Sequence, residues 1–210
     1  MILMDLFKKI GLFSALLLTL GAASGQTPTS GKSTAETAVF AGGCFWGVDA
    51  VFKHVKGVTN VVSGYAGGKN ANPTYEQVST GSSGHAESVL VSFDPKIVSY
   101  DTLLKVFFKV AHNPTELNRQ GPDWGTQYRS AIFYKSSDQK TNAQLAIESL
   151  TKSKTFSSPI VTEVSALNEF YPAEKYHQNY LSTHMTQPYI VFNDLPKLET
   201  LKREFPELYN

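Results

Sequence analysis

The chain contains a single cysteine, Cys44, and its surroundings are typical of a reactive thiol. A short β-prone run ends in Gly42 and Gly43, and a helical pattern of apolar residues begins at the cysteine. Glycine permits the tight turn of a strand-to-helix corner. A thiol at a helix N-terminus lies near unpaired N–H groups and the positive end of the helix dipole, which both favour the thiolate. A lone cysteine is often a buried, inert side chain, but the glycine turn, the helix start and the two flanking aromatic residues favour a nucleophile here.

Glu87 is the candidate proton donor. It lies in a predicted strand, residues 85–93, and shares one face of that strand with Val89, Val91 and Phe93. Burial among apolar side chains raises the pKa of a carboxyl group, so that it can carry a proton near neutral pH. At a sheet edge the same side chain would reach water and keep its usual pKa, and the sequence leaves both alternatives open.

Five further residues are candidates for binding a substrate beside the thiol. Phe45 and Trp46 directly follow the cysteine and suit an apolar wall. Tyr65 lies at a strand end among glycines, Tyr128 opens a later predicted strand, and Asp123 stands in a Gly-Pro-Asp-Trp-Gly turn. Core packing would equally explain the tyrosines, and turn formation would explain the aspartate.

Several other kinds of site are excluded. Residues 63–70 lack the first glycine and final Ser/Thr of a phosphate-binding loop, and residues 81–85 lack the spacing of a serine nucleophile elbow. The five histidines show no paired zinc spacing. The formal net charge is +1, and no basic patch indicates nucleic-acid binding. We therefore expect neither a metal nor a nucleic acid.

The first 36 residues predict export. Residues 1–25 combine Lys8 and Lys9 with an apolar run and small residues, as in a secretory signal peptide. Residues 26–36 are rich in Ser, Thr, Gly and Pro and are expected to form a disordered tether. We expect a periplasmic or secreted protein with no stable membrane span in its mature form. The alternative is an uncleaved N-terminal membrane anchor.

Residues 37–210 are predicted to form a single catalytic domain of the α+β class. Predicted strands cover residues 37–41, 59–65, 85–93, 127–135 and 160–166. Predicted helices cover residues 44–56, 99–110, 137–152, 173–181 and 195–205. The first six elements follow the β-α-β-β-α-β order of a ferredoxin-like unit, in which helices cover one face of a sheet.

Six sequence blocks occur in an order that resembles the peptide methionine sulfoxide reductase A family. They are Gly-Cys-Phe-Trp-Gly (43–47), Gly-Tyr-Ala-Gly-Gly (64–68), Gly-His-Ala-Glu (84–87), Asn-Arg-Gln-Gly (118–121), Gly-Thr-Gln-Tyr-Arg-Ser (125–130) and Ala-Glu-Lys-Tyr-His-Gln (173–178). The resemblance implies a two-layer α/β sandwich with a plait core and a mixed sheet.

The resemblance also implies the roles of the candidate residues. Cys44 matches the nucleophile and Glu87 the acid, while Tyr65 and Tyr128 match hydroxyls around the sulfoxide oxygen. The remaining three match the substrate pocket, with Phe45 and Trp46 walling the methyl group and Asp123 supplying a carboxylate. The implied activity is reduction of methionine S-sulfoxide, free or in proteins and peptides, as repair after oxidation.

The chain has no second cysteine, so it resembles the single-cysteine type of this family. Oxygen transfer would leave Cys44 as a sulfenic acid, which a thioredoxin-like or glutaredoxin-like protein or a small thiol would reduce. No cofactor is implied beyond this external thiol. Two alternatives remain open: a thiol peroxidase or redox sensor, and a non-enzymatic protein with idle motifs.

Overall fold

The computed structural model describes residues 35–210. The predicted signal peptide, and the predicted tether as far as residue 34, lie outside the described residues. At the end of that tether, Glu36 is already the first residue of a strand and pairs with Phe93. Within residues 35–210, none of the helices has the length and apolar character needed to cross a membrane.

The described chain alternates strands with helices along most of its length. The strands are β1 (Glu36–Gly42), β2 (Val58–Ala66), β3 (Ala86–Phe93), β4 (Arg119–Gln120), β5 (Asp123–Trp124), β6 (Ser130–Tyr134), β7 (Glu163–Ala166) and β8 (Phe170–Pro172). The α-helices are α1 (Phe45–Lys53), α2 (Tyr75–Ser79), α3 (Tyr100–Val106), α4 (Ser137–Lys152), α5 (Tyr180–Thr183) and α6 (Leu195–Glu204). Two π-helical turns (Phe107–Ala111 and Ile190–Asp194) and two 3₁₀ turns (Thr126–Tyr128 and Lys175–His177) complete the elements used below.

Six strands form one mixed sheet in the order β7-β6-β1-β3-β2-β8. The four central strands, β6-β1-β3-β2, are all antiparallel and are joined in the β-α-β-β-α-β order of a ferredoxin-like plait. The parallel pairing of β7 with β6 makes the sheet mixed. The predicted fold class is confirmed, including the two-layer α/β sandwich.

The main hydrophobic core lies between the sheet and the helices on one of its faces. Phe40 of β1 is at its centre, with its ring stacked 5.1 Å from Phe52 of α1 and 4.9 Å from Phe107 after α3. The alternation predicted for β3 holds, because Glu87 lies on the same face as the buried Val89 and Val91. This face therefore carries both the core and the candidate acid.

Short polar side chains fix several helix starts. Ser99 accepts a hydrogen bond from the Thr102 N–H at the start of α3, as its position predicted. Thr74 forms a capping box with Gln77 and begins α2, a short helix that the sequence analysis left within a loop. Helix α4 has the predicted bounds, whereas the predicted helices 44–56 and 99–110 end earlier, the latter continuing as a π-helical turn.

The prediction of a continuous helix over residues 173–181 is wrong. The Ala173 N–H bonds the Ser63 carbonyl at 2.9 Å, next to the pairing of β8 with β2, so tertiary pairing overrides local helical periodicity. A 3₁₀ turn follows, and Asn179 with φ 56° separates it from α5. The predicted strand 127–135 also begins late, at Ser130, because Thr126–Tyr128 forms a 3₁₀ turn.

Candidate active site

The two glycines before Cys44 are required by the close approach of a loop. Gly43 has φ 87°, and an ideal Cβ there would lie 2.4 Å from Gln120 Cγ. A Cβ on Gly42 would lie 3.0 Å from the ring of His112. The chain can therefore turn sharply from β1 and place Cys44 at the N-cap of α1.

Glu87 lies directly beneath this helix start. It is 2% exposed, and its Oε2 accepts a hydrogen bond from the Phe45 N–H at 3.0 Å. Burial raises the pKa of Glu87 from its ordinary 4.5 to about 8, and the Asp123 charge adds to this, while the Phe45 N–H opposes it. Glu87 is thus mainly protonated at neutral pH. Because Oε2 accepts the Phe45 N–H, Oε1 is the oxygen free to carry the proton.

The Cys44 thiol is also buried, and its pKa is raised well above 9.0. Burial is the main cause, followed by the negative charges of Glu87 and Asp194, while the Trp46 N–H and Lys197 act in the opposite direction. The expected thiolate-favouring effect of the helix terminus is therefore outweighed in the free protein. A thiolate becomes easier to form when Glu87 is neutral, so the two groups titrate together.

The two predicted tyrosines have different environments. Tyr128 lies near Glu87. Burial is the main cause that raises the pKa of the Tyr128 phenol, and the negative charge of Glu87 is the next. Tyr65 lies opposite Glu87 in the β2–β3 register, but it is fully buried and its hydroxyl donates to Glu174 Oε2 at 2.7 Å. Glu174 also accepts the Tyr75 N–H at 2.8 Å.

Tyr75, the first residue of α2, was missed by the sequence analysis. Burial raises the pKa of its phenol to about 12, and the charges of Glu87 and Cys44 contribute next. Tyr75 also influences Tyr128, so the two hydroxyls share the surroundings of the thiol and the acid. Thr74, a capping residue directly after Pro73, was the available sequence signal for a helix start here.

Phe45 and Trp46 form part of a larger aromatic wall. Phe45 is 1% exposed, and its ring lies 4.9 Å from that of His177. The half-buried Trp46 stacks on Tyr180 at 3.7 Å and meets Tyr189 edge-on at 5.9 Å. The wall predicted from the two residues beside Cys44 is thus extended by residues of the C-terminal segment, which comprises residues 170–210.

His177 joins the two halves of this wall and was not among the predicted site residues. Its Nδ1 accepts a hydrogen bond from Trp46 Nε1 at 3.2 Å, so the ring proton is on Nε2. Its ring also lies 4.5 Å from that of Tyr75. Burial lowers the pKa of His177, which favours this neutral ring. The Trp46 indole is consequently fixed in orientation.

Asp123 closes the same region from the β4–β5 hairpin, which occupies part of the predicted loop 112–125. Its Oδ2 accepts a short hydrogen bond from the Tyr189 hydroxyl. Burial raises the pKa of Asp123, while the Tyr189 hydrogen bond and the Lys197 charge lower it. Among residues 35–210, no group of three or more His, Cys, Asp or Glu is arranged to hold a metal ion.

Comparisons with known proteins identify the family. A family model described as peptide methionine sulfoxide reductase matches residues 36–208. The chain is 58% identical over 175 residues to peptide methionine sulfoxide reductase MsrA 2 of Mesorhizobium japonicum, with 83% of this chain and 90% of the relative covered. The MsrA 2 of Synechocystis sp. is 48% identical over 179 residues, which cover 85% of this chain and 83% of that relative.

Solved structures give the same result. Methionine sulfoxide reductase A of Corynebacterium diphtheriae has a TM-score of 0.69 at 36% identity, covering 74% of this chain and 77% of that one. Mxr1 of Saccharomyces cerevisiae in reduced form has a TM-score of 0.68 at 31% identity, covering 72% of this chain and 87% of that one. The chain, with its corner cysteine above a buried acid, belongs to the peptide methionine sulfoxide reductase family.

Proposed function

We propose that this protein reduces the S epimer of methionine sulfoxide to methionine, with Cys44 as nucleophile and Glu87 as proton donor. The observation that carries the proposal is the Phe45 N–H bond to Glu87, which fixes a protonated carboxyl directly beneath the start of the helix that Cys44 caps. Membership of the family supports the reaction class.

The reaction transfers one oxygen atom and two electrons. The Cys44 thiolate attacks the sulfoxide sulfur while Oε1 of Glu87 gives its proton to the sulfoxide oxygen. The hydroxyl group then migrates from the methionine sulfur to the Cys44 sulfur. The original S–O bond and the transient bond between the two sulfurs break, a new S–O bond forms on Cys44, and methionine leaves. The sulfoxide sulfur is reduced by two electrons and Cys44 is oxidised to a sulfenic acid. Glu87 recovers the proton that the thiol released on forming the thiolate.

The surrounding groups orient the substrate. Besides burial, the charges of Glu87 and Cys44 raise the pKa values of the Tyr75 and Tyr128 phenols, so both hydroxyls lie near the reacting groups. Their position suits donation of a hydrogen bond to the sulfoxide oxygen. Phe45 and Trp46 offer the apolar surface for the methyl group, and Asp123 lies at the edge of that surface. For Tyr65, the hydrogen bond to Glu174 favours a role in holding α2 over a direct contact with substrate.

Recycling needs thiols from outside the chain, because Cys44 has no partner cysteine. A first external thiol forms a mixed disulfide with Cys44 and releases water, and a second thiol breaks that disulfide. A thioredoxin-like or glutaredoxin-like protein or a small thiol has the required chemistry. The signal-like residues 1–25 favour an exported enzyme, so the reductant would be an exported thiol carrier or a small thiol.

Turnover of the two methionine sulfoxide epimers in a peptide tests this proposal, with hydrogen peroxide as the competing substrate. We expect turnover of the S epimer alone, and Cys44→Ser should abolish it. Without reductant, one methionine should form per chain and the intact mass should rise by one oxygen. Equal turnover of both epimers would overturn the assignment to the S epimer. Reduction of peroxide at a higher rate than sulfoxide would overturn the reaction class in favour of a thiol peroxidase.

A further inference from the structure

An ion pair from the C-terminal segment packs directly on the first turn of α1. Asp194 Oδ1 lies 3.1 Å from Lys197 Nζ. An ideal Cβ built on Gly47 would lie 2.1 Å from Asp194 Oδ1 and 2.6 Å from Lys197 Nζ. Only a residue without a side chain therefore lets this pair approach the helix, three positions after Cys44.

The pair is unusually well buried. Asp194 is 1% exposed, and the Lys197 side chain is 20% exposed. Asp194 Oδ2 has no hydrogen-bond partner among residues 35–210. A buried ion pair contributes little to stability and is expensive to desolvate, so its position next to the helix start calls for another explanation.

Charges from several elements reach the Cys44 thiol. Glu87 of β3 and Asp194 disfavour the thiolate, and Lys197 favours it. Tyr75, Tyr128 and Tyr189 also lie within range of Cys44. Lys197 further acts on Asp123, which accepts the Tyr189 hydrogen bond, and on His112, which packs on Gly42. Lys197 thus acts on the thiol and on two of the nearby acids, Asp123 and Asp194.

We propose that Asp194 and Lys197 are positioning residues for the nucleophile: held together against Gly47, their opposite charges act on the Cys44 thiolate in opposite directions, with the Lys197 ammonium supporting the thiolate and the Asp194 carboxylate opposing it. The pair would act through Cys44 and need not touch the substrate. Its use in catalysis rests on the proposed function, but its effect on the thiol does not.

The test compares the alkylation rate of Cys44 by iodoacetamide at fixed pH 8 and across pH, without sulfoxide or reductant. Because the chain has one cysteine, all modification reports on this thiol. Lys197→Met should slow alkylation about tenfold and raise the titration midpoint by about one pH unit, as expected for a lost neighbouring charge. Asp194→Asn should change both quantities in the opposite direction by a similar amount.

Three controls separate charge from folding. The double variant should return close to the wild-type rate, and Lys197→Arg should retain it. Lys202→Met removes an exposed lysine from the same helix and should have no effect. Shifts of the two single variants in the same direction, or no shift in either, would overturn the proposal. Such a result would leave the proposed reductase activity untouched, because alkylation does not depend on turnover.

Discussion

The sheet side and the C-terminal side of the site differ in how they are built. On the sheet side, Cys44 and Glu87 are fixed by adjacent antiparallel strands and a backbone hydrogen bond. On the C-terminal side, Glu174, His177 and Tyr189 lie in or beside short turns, and their hydrogen bonds go to the surrounding side chains of Tyr65, Trp46 and Asp123. The comparison indicates that strands place the reacting atoms, whereas the turns hold the side chains around them.

The largest effect should come from the sheet side. Glu87→Gln keeps the shape and can still accept the Phe45 N–H, but it has no carboxylic proton to donate. We expect turnover to fall about 10²–10⁴-fold at neutral pH, the usual contribution of general acid catalysis, with substrate binding little changed. Single-turnover kinetics measure this directly. Near-normal chemistry in the variant would mean that Glu87 only supports the helix start.

The pH profile should sharpen the same assignment. The reactive form, a Cys44 thiolate beside a neutral Glu87, has lost one of the two protons that the pair binds at low pH. Its fraction therefore rises about tenfold per pH unit up to the pKa of Glu87, about 8, and is constant above it until the thiol titrates. We expect kcat/KM to level off near pH 8 in the wild type. In Glu87→Gln it should continue to rise, and an unchanged break would assign it to another group.

Tyr75 and Tyr65 allow a hydroxyl in the surroundings of the thiol to be compared with one that is bound by Glu174 of the C-terminal side. Tyr75→Phe should lower kcat/KM about tenfold, the value of roughly one hydrogen bond to the sulfoxide oxygen. Tyr65→Phe is the matched control, because its hydroxyl bonds Glu174. It should change kcat/KM less than Tyr75→Phe does. The opposite order would restore Tyr65 as the group that contacts the substrate.

The smallest effect is expected at Glu174. Glu174→Gln weakens two charge-assisted hydrogen bonds, from the Tyr65 hydroxyl and the Tyr75 N–H, without removing their acceptor. We expect a loss of about 1 kcal/mol in the free energy of unfolding and a modest rise in KM. Urea unfolding and steady-state kinetics measure the two quantities. A loss of turnover comparable to that of Glu87→Gln would contradict the division between the two sides.

The sequence predicted the sheet side better than the C-terminal side for a physical reason. Strand β3 has the alternation that was predicted, and β1 leads into the Gly-Gly corner, so these local signals agree with the tertiary structure. Before helix α6, residues 170–194 of the C-terminal segment form a three-residue strand, 3₁₀ and π-helical turns and a four-residue helix, which are too short for periodicity to identify.

Individual residues follow the same division. Glu87 was identified because its strand neighbours are apolar, although the pattern alone left burial and an exposed sheet edge equally open. The bond of Tyr65 to Glu174 spans 109 positions and that of Trp46 to His177 spans 131. Contacts across such separations depend on the complete fold, and no local pattern could have revealed them.

The Phe45 N–H bond to Glu87 has a further consequence for the course of the proposed reaction, in which Glu87 gives up its proton. Before proton transfer this donor meets a neutral carboxylic oxygen, whereas afterwards it meets a carboxylate, and hydrogen bonds to ionised acceptors are about twice as strong. The contact therefore strengthens as negative charge develops on Glu87. It stabilises the transition state more than the ground state, and it requires no reorganisation because the donor belongs to the backbone of a buried helix.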